Sequence, residues 1–185
     1  MLEGDCVKIE RRPSTFFYPC PVVLVTSVDE KGTPNIVTLA WAGVVCSDPP
    51  TIGLGIRPNR HSHGLIEQSK EFVVNIPSLS ILKETDYCGR VSGRDHDKFE
   101  ETKLTPEPAS KVKAPLIKEC PVNLECVLEQ TVKVGSHDLF LGRVVAVHVK
   151  QALLDANGHI DYAKAQPFVY NQGEYWNLGK KMEVA

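Results

Sequence analysis

Asn35-Ile-Val-Thr-Leu-Ala-Trp41 is a strand-like run that ends in a tryptophan, and after a turn and another strand comes Arg57-Pro-Asn-Arg-His-Ser-His63. The second segment has the make-up of an anion holder. Arg60 brings a planar fork of donors and Ser62 a hydroxyl and a backbone N–H. Ser62 can also open a short helix, marked by Leu65 and Ile66, whose N-terminus attracts negative charge. A phosphate suits that donor set, and the first segment is then placed to supply a pocket wall.

Outward from this stretch the chain alternates short strands with turns. Val22 to Val28 reads as a buried strand, Asp29-Glu-Lys-Gly32 as a turn with Gly32 available for positive φ, and Asn35 to Trp41 as the returning strand of a hairpin. Residues 1–20, with Phe16-Phe17-Tyr18, read as a lead-in packing on the first strand. Ser47-Asp-Pro-Pro50 breaks the chain, and Thr51-Ile-Gly-Leu-Gly-Ile56 is a strand whose glycines allow bending or close approach. A helix from about Ser62 to Ser69, a strand Glu71 to Pro77 and a second helix Ser80 to Tyr87 follow. Cys88 to Ser110, rich in Gly, Pro and charge, reads as an excursion over a site.

From Pro121 the pattern sharpens. Val122, Leu124, Cys126, Leu128, Val132 and Val134 share one face of a long strand, while Asn123, Glu125, Glu129, Thr131 and Lys133 fall on the other. Gly135-Ser-His-Asp138 turns into a second long strand, Leu139 to Val149. The tail carries Phe168, Tyr170, Tyr175 and Trp176, suited to covering a pocket or a partner subunit. Repeated strands, Gly- and Pro-rich turns and brief helices predict a mainly β fold: a closed, mostly antiparallel β-barrel with short helices, which removes exposed strand edges.

At 185 residues the chain suits a single domain. The 21 Lys+Arg against 23 Asp+Glu give a net charge of −2, so no basic excess points to nucleic acid. Met1 to Cys6 lacks a signal peptide's basic and apolar regions, and no run approaches the roughly 20 apolar residues of a membrane span. A cytoplasmic protein without a membrane partner is expected. The six cysteines, Cys6, Cys20, Cys46, Cys88, Cys120 and Cys126, lack a CxxC and read as buried free thiols, with a redox role for Cys46 left open.

The motifs in their order resemble the flavin reductase-like, FMN-binding split-barrel family, and within it the flavoredoxin-like branch. The parts that carry the resemblance are Pro21-Val-Val-Leu-Val-Thr26, Asn35 to Trp41, Ser47-Asp-Pro-Pro50, Arg57 to His63, Phe72-Val-Val-Asn-Ile-Pro77, Asp97-Lys-Phe99, and His137 before Leu139-Phe-Leu-Gly142. It spans about Tyr18 to Leu178, a core within one domain of residues 1–185. The resemblance implies a split barrel, a homodimer and FMN bound near the subunit interface. It places Asn35, Thr38, Leu39, Ala40 and Trp41 along the flavin, and Arg60 and Ser62 with His61 or His63 at the phosphate. Lys98 matches the basic residue approaching the isoalloxazine, and His137 and Tyr170 match positions that close the pocket.

Residue type alone gives blander readings. Trp41 is then a barrel-core residue, Arg60 and Ser62 a solvated loop with a helix cap, Lys98 a surface charge and His137 a polar turn residue. No metal is expected at His61 and His63, which lack further ligands at readable spacing. The expected function is a flavin-dependent oxidoreductase, either an NAD(P)H:flavin reductase or a flavoredoxin-like electron carrier passing electrons to a redox partner protein or small acceptor. No protein residue need act as a covalent catalyst. The alternative is a non-redox flavin or phosphate-ligand module on the same barrel.

Overall fold

A computed structural model describes residues 8–182, so Cys6 lies outside the described residues. The first strands are β1 (Cys20–Pro21) and β2 (Val23–Val28), and all six residues of β2 are buried. Its two faces feed different cores. Val23 and Val25 point to a cluster around Phe72 and Phe140, whereas Leu24 joins Ile36, Ile81, Cys88 and Phe99. Burial on both sides explains why this segment reads as a continuous apolar run. The Asp29–Gly32 turn forms as predicted: the Asp29 carboxylate accepts from the N–H groups of Lys31 and Thr33, and Gly32 takes φ 84°. The upstream Phe16 and Phe17 are exposed rather than packed on the first strand.

β3 (Pro34–Leu39) returns antiparallel to β2 and stops short of Trp41, at a bend. β4 (Ala42–Ser47) begins at once. The sequence reading passes over β4 because an edge strand exposed along nearly its whole length imprints no apolar alternation. β5 (Pro50–Ile56) follows, then α1 (His61–Ser69), β6 (Glu71–Ile76), α2 (Leu82–Arg90) and α3 (Lys98–Thr102). A short pair, β7 (Pro106–Glu107) and β8 (Leu116–Ile117), precedes the long hairpin β9 (Val122–Lys133) and β10 (Asp138–Val149). The chain closes with α4 (Tyr162–Ala165) and the hairpin β11 (Phe168–Asn171) and β12 (Glu174–Asn177), which pairs onto β1.

The main sheet runs β3-β2-β6-β9-β10-β5-β4, antiparallel throughout. It does not close. β3 and β4 are its two ends, because the bend between them turns the chain too abruptly for a ladder, and the predicted closed barrel is instead a split one. At the bend the β4–β5 ladder runs one rung beyond Ala42, the Gly55 N–H donating to the Trp41 carbonyl at 2.8 Å. A Cβ at Gly55 would meet the Trp41 Cβ at 3.3 Å, so this close crossing depends on glycine. The functional cavity opens along the split.

The far side of the barrel departs from the predicted polarity. Asn123 and Glu125 of β9, expected on a solvated face, are buried beneath residues 104–118. Asn123 Nδ2 donates to Asn75 Oδ1 at 2.7 Å, and the Glu125 carboxylate accepts the backbone N–H groups of Ser110, Lys111 and Val112. Burial pushes that carboxyl up, but the bonds from Ser110, His148 and Lys111 outweigh it and hold it down to about 2. Val112, Ala114 and Leu116 of the same segment pack on Val73.

Candidate functional site

A cavity of about 330 Å³ opens beside the split. Thr38, Leu39, Ala40 and Trp41 form one wall, Tyr170 and Tyr175 of the C-terminal hairpin another, and Arg57, Arg60, Arg90 and His137 line it between them. A smaller pocket of about 120 Å³ lies next to it, lined by Asn35, Arg60, His61, Ser62, Arg94 and Lys98 among others. Arg60 and Gly89 line both, so the two spaces meet at them. A Cβ at Gly89 would meet the Thr38 Cβ at 3.2 Å, and the Thr38 hydroxyl donates to the Thr85 carbonyl. These contacts bring α2 hard against β3 and set the depth of the junction.

The small pocket owes its character to the start of α1. The N-cap is Arg60, with extended backbone and no side-chain cap, and the first turn holds no acidic residue. Its N–H groups and the positive end of the helix dipole therefore face the pocket without a built-in anion. Ser62, predicted to open the helix, stands one residue inside it and is buried. Its hydroxyl oxygen accepts from Asn35 Nδ2 at 2.7 Å, which leaves its own O–H to donate. Gly93 closes the far side: a Cβ there would run into the Asn35 carboxamide and meet His61 Cδ2 at 3.2 Å.

Lys98, which the resemblance matches to the basic residue approaching the isoalloxazine, lines this pocket and not the large cavity. It is 5% exposed, and its Nζ donates to the carbonyls of Ile36 at 2.7 Å and Cys88 at 2.8 Å. Burial, with the Arg60 charge nearby, pulls its pKa down to about 8. His61 is likewise held below its ordinary value by burial and by the Arg94 and Lys98 charges. His63, the alternative phosphate ligand, is absent from both spaces. Its Nε2 bonds Asp138 Oδ2 at 2.9 Å and its ring meets Phe140 edge-on, a core role.

In the large cavity Trp41 is 40% exposed, too open for a core residue, and His137 packs on it with ring centres 4.3 Å apart. Arg57 Nε donates to His137 Nε2 at 3.3 Å. Arginine can only donate, so His137 is neutral there and its Nδ1–H turns to Ser136 Oγ at 2.9 Å. Burial and the charges of Arg57 and Arg60 lower the His137 pKa. Tyr170 lies 6.2 Å from Tyr18 and 6.0 Å from Tyr175, centre to centre. Tyr175 O–H donates to Asp86 Oδ1 at 3.2 Å, and Asp86 Oδ2 pairs with Arg90 Nε at 2.8 Å. Burial and Asp86 push the Tyr175 pKa up to about 12.

Eleven of the twelve residues expected at the site therefore line one space or the other, and His63 is the exception. Sequence reasoning did not single out Asp86, which stands inside α2 and carries no motif, nor Gly89 and Arg90, which end that helix but fall in the stretch from Cys88 read as an excursion over a site. Gly93-Arg94 had a visible signal in the Gly-rich excursion after Cys88. Of the thiols, Cys20, Cys88, Cys120 and Cys126 are buried as predicted, but Cys46 is exposed on β4.

The family model described as "Flavin reductase like domain" matches residues 15–179. An uncharacterized protein of Archaeoglobus fulgidus is 37% identical over 147 residues, covering 80% of this chain and 82% of that protein. Among solved structures, flavoredoxin of Desulfovibrio vulgaris (Miyazaki F) superposes with TM-score 0.91 at 32% identity, covering 97% of both chains. Flavoredoxin from Methanosarcina acetivorans gives TM-score 0.86 at 30% identity over 98% of this chain and 96% of that one. Nitrilotriacetate monooxygenase component B from Bacillus cereus gives 0.87 at 25% identity, covering 98% of this chain and 100% of that one. With the split barrel, the aromatic cavity and the basic pocket in place, these matches establish that the chain belongs to the flavin reductase-like family, a family of flavin-binding oxidoreductases.

Proposed function

We propose that the protein binds FMN across the two connected spaces and uses it for electron transfer. The observation that carries this reading is the junction at Arg60: a flat-walled cavity continues into a small, carboxylate-free pocket where guanidinium, ammonium, hydroxyl and helix N–H donors converge. That donor set fits a phosphate monoester, and the Thr38 to Trp41 wall fits a planar ring. FMN, when bound, supplies reversible acceptance of a hydride or of single electrons. The protein residues bind and orient. Arg60, Ser62 and the α1 N-terminus hold the phosphate, Lys98 adds charge beneath it, and Trp41 and Tyr170 exclude water from the ring.

The likeness to flavoredoxins supports an electron carrier, and NAD(P)H or a protein serves as donor in this reading. Anaerobic addition of NADH, then NADPH, to FMN-loaded protein separates the two by bleaching of the flavin absorbance. Protein that neither carries flavin nor binds added FMN would refute the proposal. We further propose a homodimer in the cytoplasm. Among the described residues no helix is long and apolar enough to cross a membrane. Val44 and Val45 of edge strand β4 are exposed together with Phe17 and Trp41, beside an apolar cavity of about 370 Å³, and such a face suits a second copy of the chain.

A further inference from the structure

Two arginines of the large cavity share a geometry that the phosphate does not use. Arg57, exposed at the cavity mouth, donates through Nε to His137, and Arg90, whose side chain is 76% exposed, pairs through Nε with Asp86. In each case the terminal amino groups have no hydrogen-bond partner among the described residues. A guanidinium held by Nε keeps its outer pair of N–H donors parallel and pre-oriented, the arrangement that grips a planar carboxylate in bidentate fashion. Both side chains line the aromatic cavity, whereas neither lines the small basic pocket. Among the described residues Asp86 is the one carboxylate lining this cavity, and it is already engaged by Arg90 and by the Tyr175 hydroxyl.

From this geometry we propose that the outer part of the large cavity binds a small planar organic carboxylate, gripped by Arg57 and Arg90 on the Tyr175 side, clear of the Trp41 wall that the flavin ring takes. The inference adds a substrate class to the proposed flavin site and rests on that reading only for the ligand's role, since the grip is built from protein groups alone. His137, neutral and tied to Arg57, contributes no opposing charge. Tyr175 stays protonated through the physiological range, so among the described residues lining the cavity the paired Asp86 is the one anionic neighbour.

The test is calorimetric titration of sodium benzoate and of benzamide, at constant ionic strength, into protein with and without added FMN. Benzoate should bind both forms, with benzamide roughly tenfold or more weaker because it lacks the charge that the two forks recognise. R57Q and R90Q should each weaken benzoate about tenfold, and R90K should recover only part of the loss because lysine has charge without a fork. Equal binding of the two ligands, or no benzoate binding in either form, overturns the proposal. So does benzoate binding abolished by R60Q or by saturating FMN, which would mean that the acid had borrowed the phosphate pocket. If FMN does not bind, the flavin reading fails, while the FMN-free titration still decides this one.

Discussion

Lys98 shows how burial can make a cation conditional. Its pKa of about 8 lies below the roughly 10.4 of a solvated lysine, so the folded state is penalised for the proton below pH 8 and regains stability as pH rises from there toward 10.4. An anion in the adjoining pocket reverses the preference and favours the ammonium. FMN affinity should therefore decline as pH rises through 8, and K98M should flatten that dependence; both are read by flavin fluorescence titration at a series of pH values. Neighbouring Gly93 gives a steric counterpart. G93A forces the Asn35 carboxamide aside and breaks its bond to Ser62, and FMN binding should weaken while riboflavin binding changes less. Such residues were partly legible. Arg60, Ser62 and Trp41 announce themselves by donor chemistry and by a large aromatic at a strand end, but Lys98 looked like surface charge because its burial comes from α3 packing on β3. His63 looked like a ligand because sequence spacing cannot show that its ring turns to Asp138.

At the level of elements, the β9 ladder carries the part of the fold least visible in advance. Val122 to Leu128 alternates as a half-buried strand should, and the hairpin with β10 follows from it. What no periodicity reports is that residues 104–118 fold back over Asn123 and Glu125. Charge type argued for solvent, while three backbone N–H donors argue for burial, and the donors win because they satisfy the carboxylate in place. Its folded pKa of about 2 lies below the roughly 4.3 of a free glutamate, so its contribution is present above pH 4.3 and disappears as pH falls toward 2. E125Q should cost about 3 kcal/mol at pH 7, the linkage value of that difference, and should remove most of this acid window. Denaturant melts at pH 7 and pH 3 measure both. On the opposite strand, a Cβ at Gly142 would collide with the Phe72 ring and meet Cys126 Cβ at 3.3 Å. G142A should therefore destabilise by about 1–3 kcal/mol through overpacking.

On the scale of the whole molecule, the count and spacing of strands pointed to a barrel, and the family motifs to its being split. The split follows from the bend at Ala40–Trp41, and its position brings the Trp41 wall, the α1 N-terminus and the C-terminal tyrosines to one opening. β4 went unread for a related reason: it is the outer edge, and only a partner would bury it. If a second copy does so, sedimentation should show a dimer, and V44K, which places a charge on that edge, should shift it toward monomer. The central claim is narrower, that a flavin's phosphate lies at Arg60 and its ring at Trp41. Titration of wild-type and R60Q protein with FMN and with riboflavin, followed by flavin fluorescence, tests it most directly. The substitution should weaken FMN roughly 10- to 100-fold, the worth of a charge-assisted hydrogen bond, and leave riboflavin within about threefold. Equal losses for the two ligands would contradict the claim and move the phosphate elsewhere.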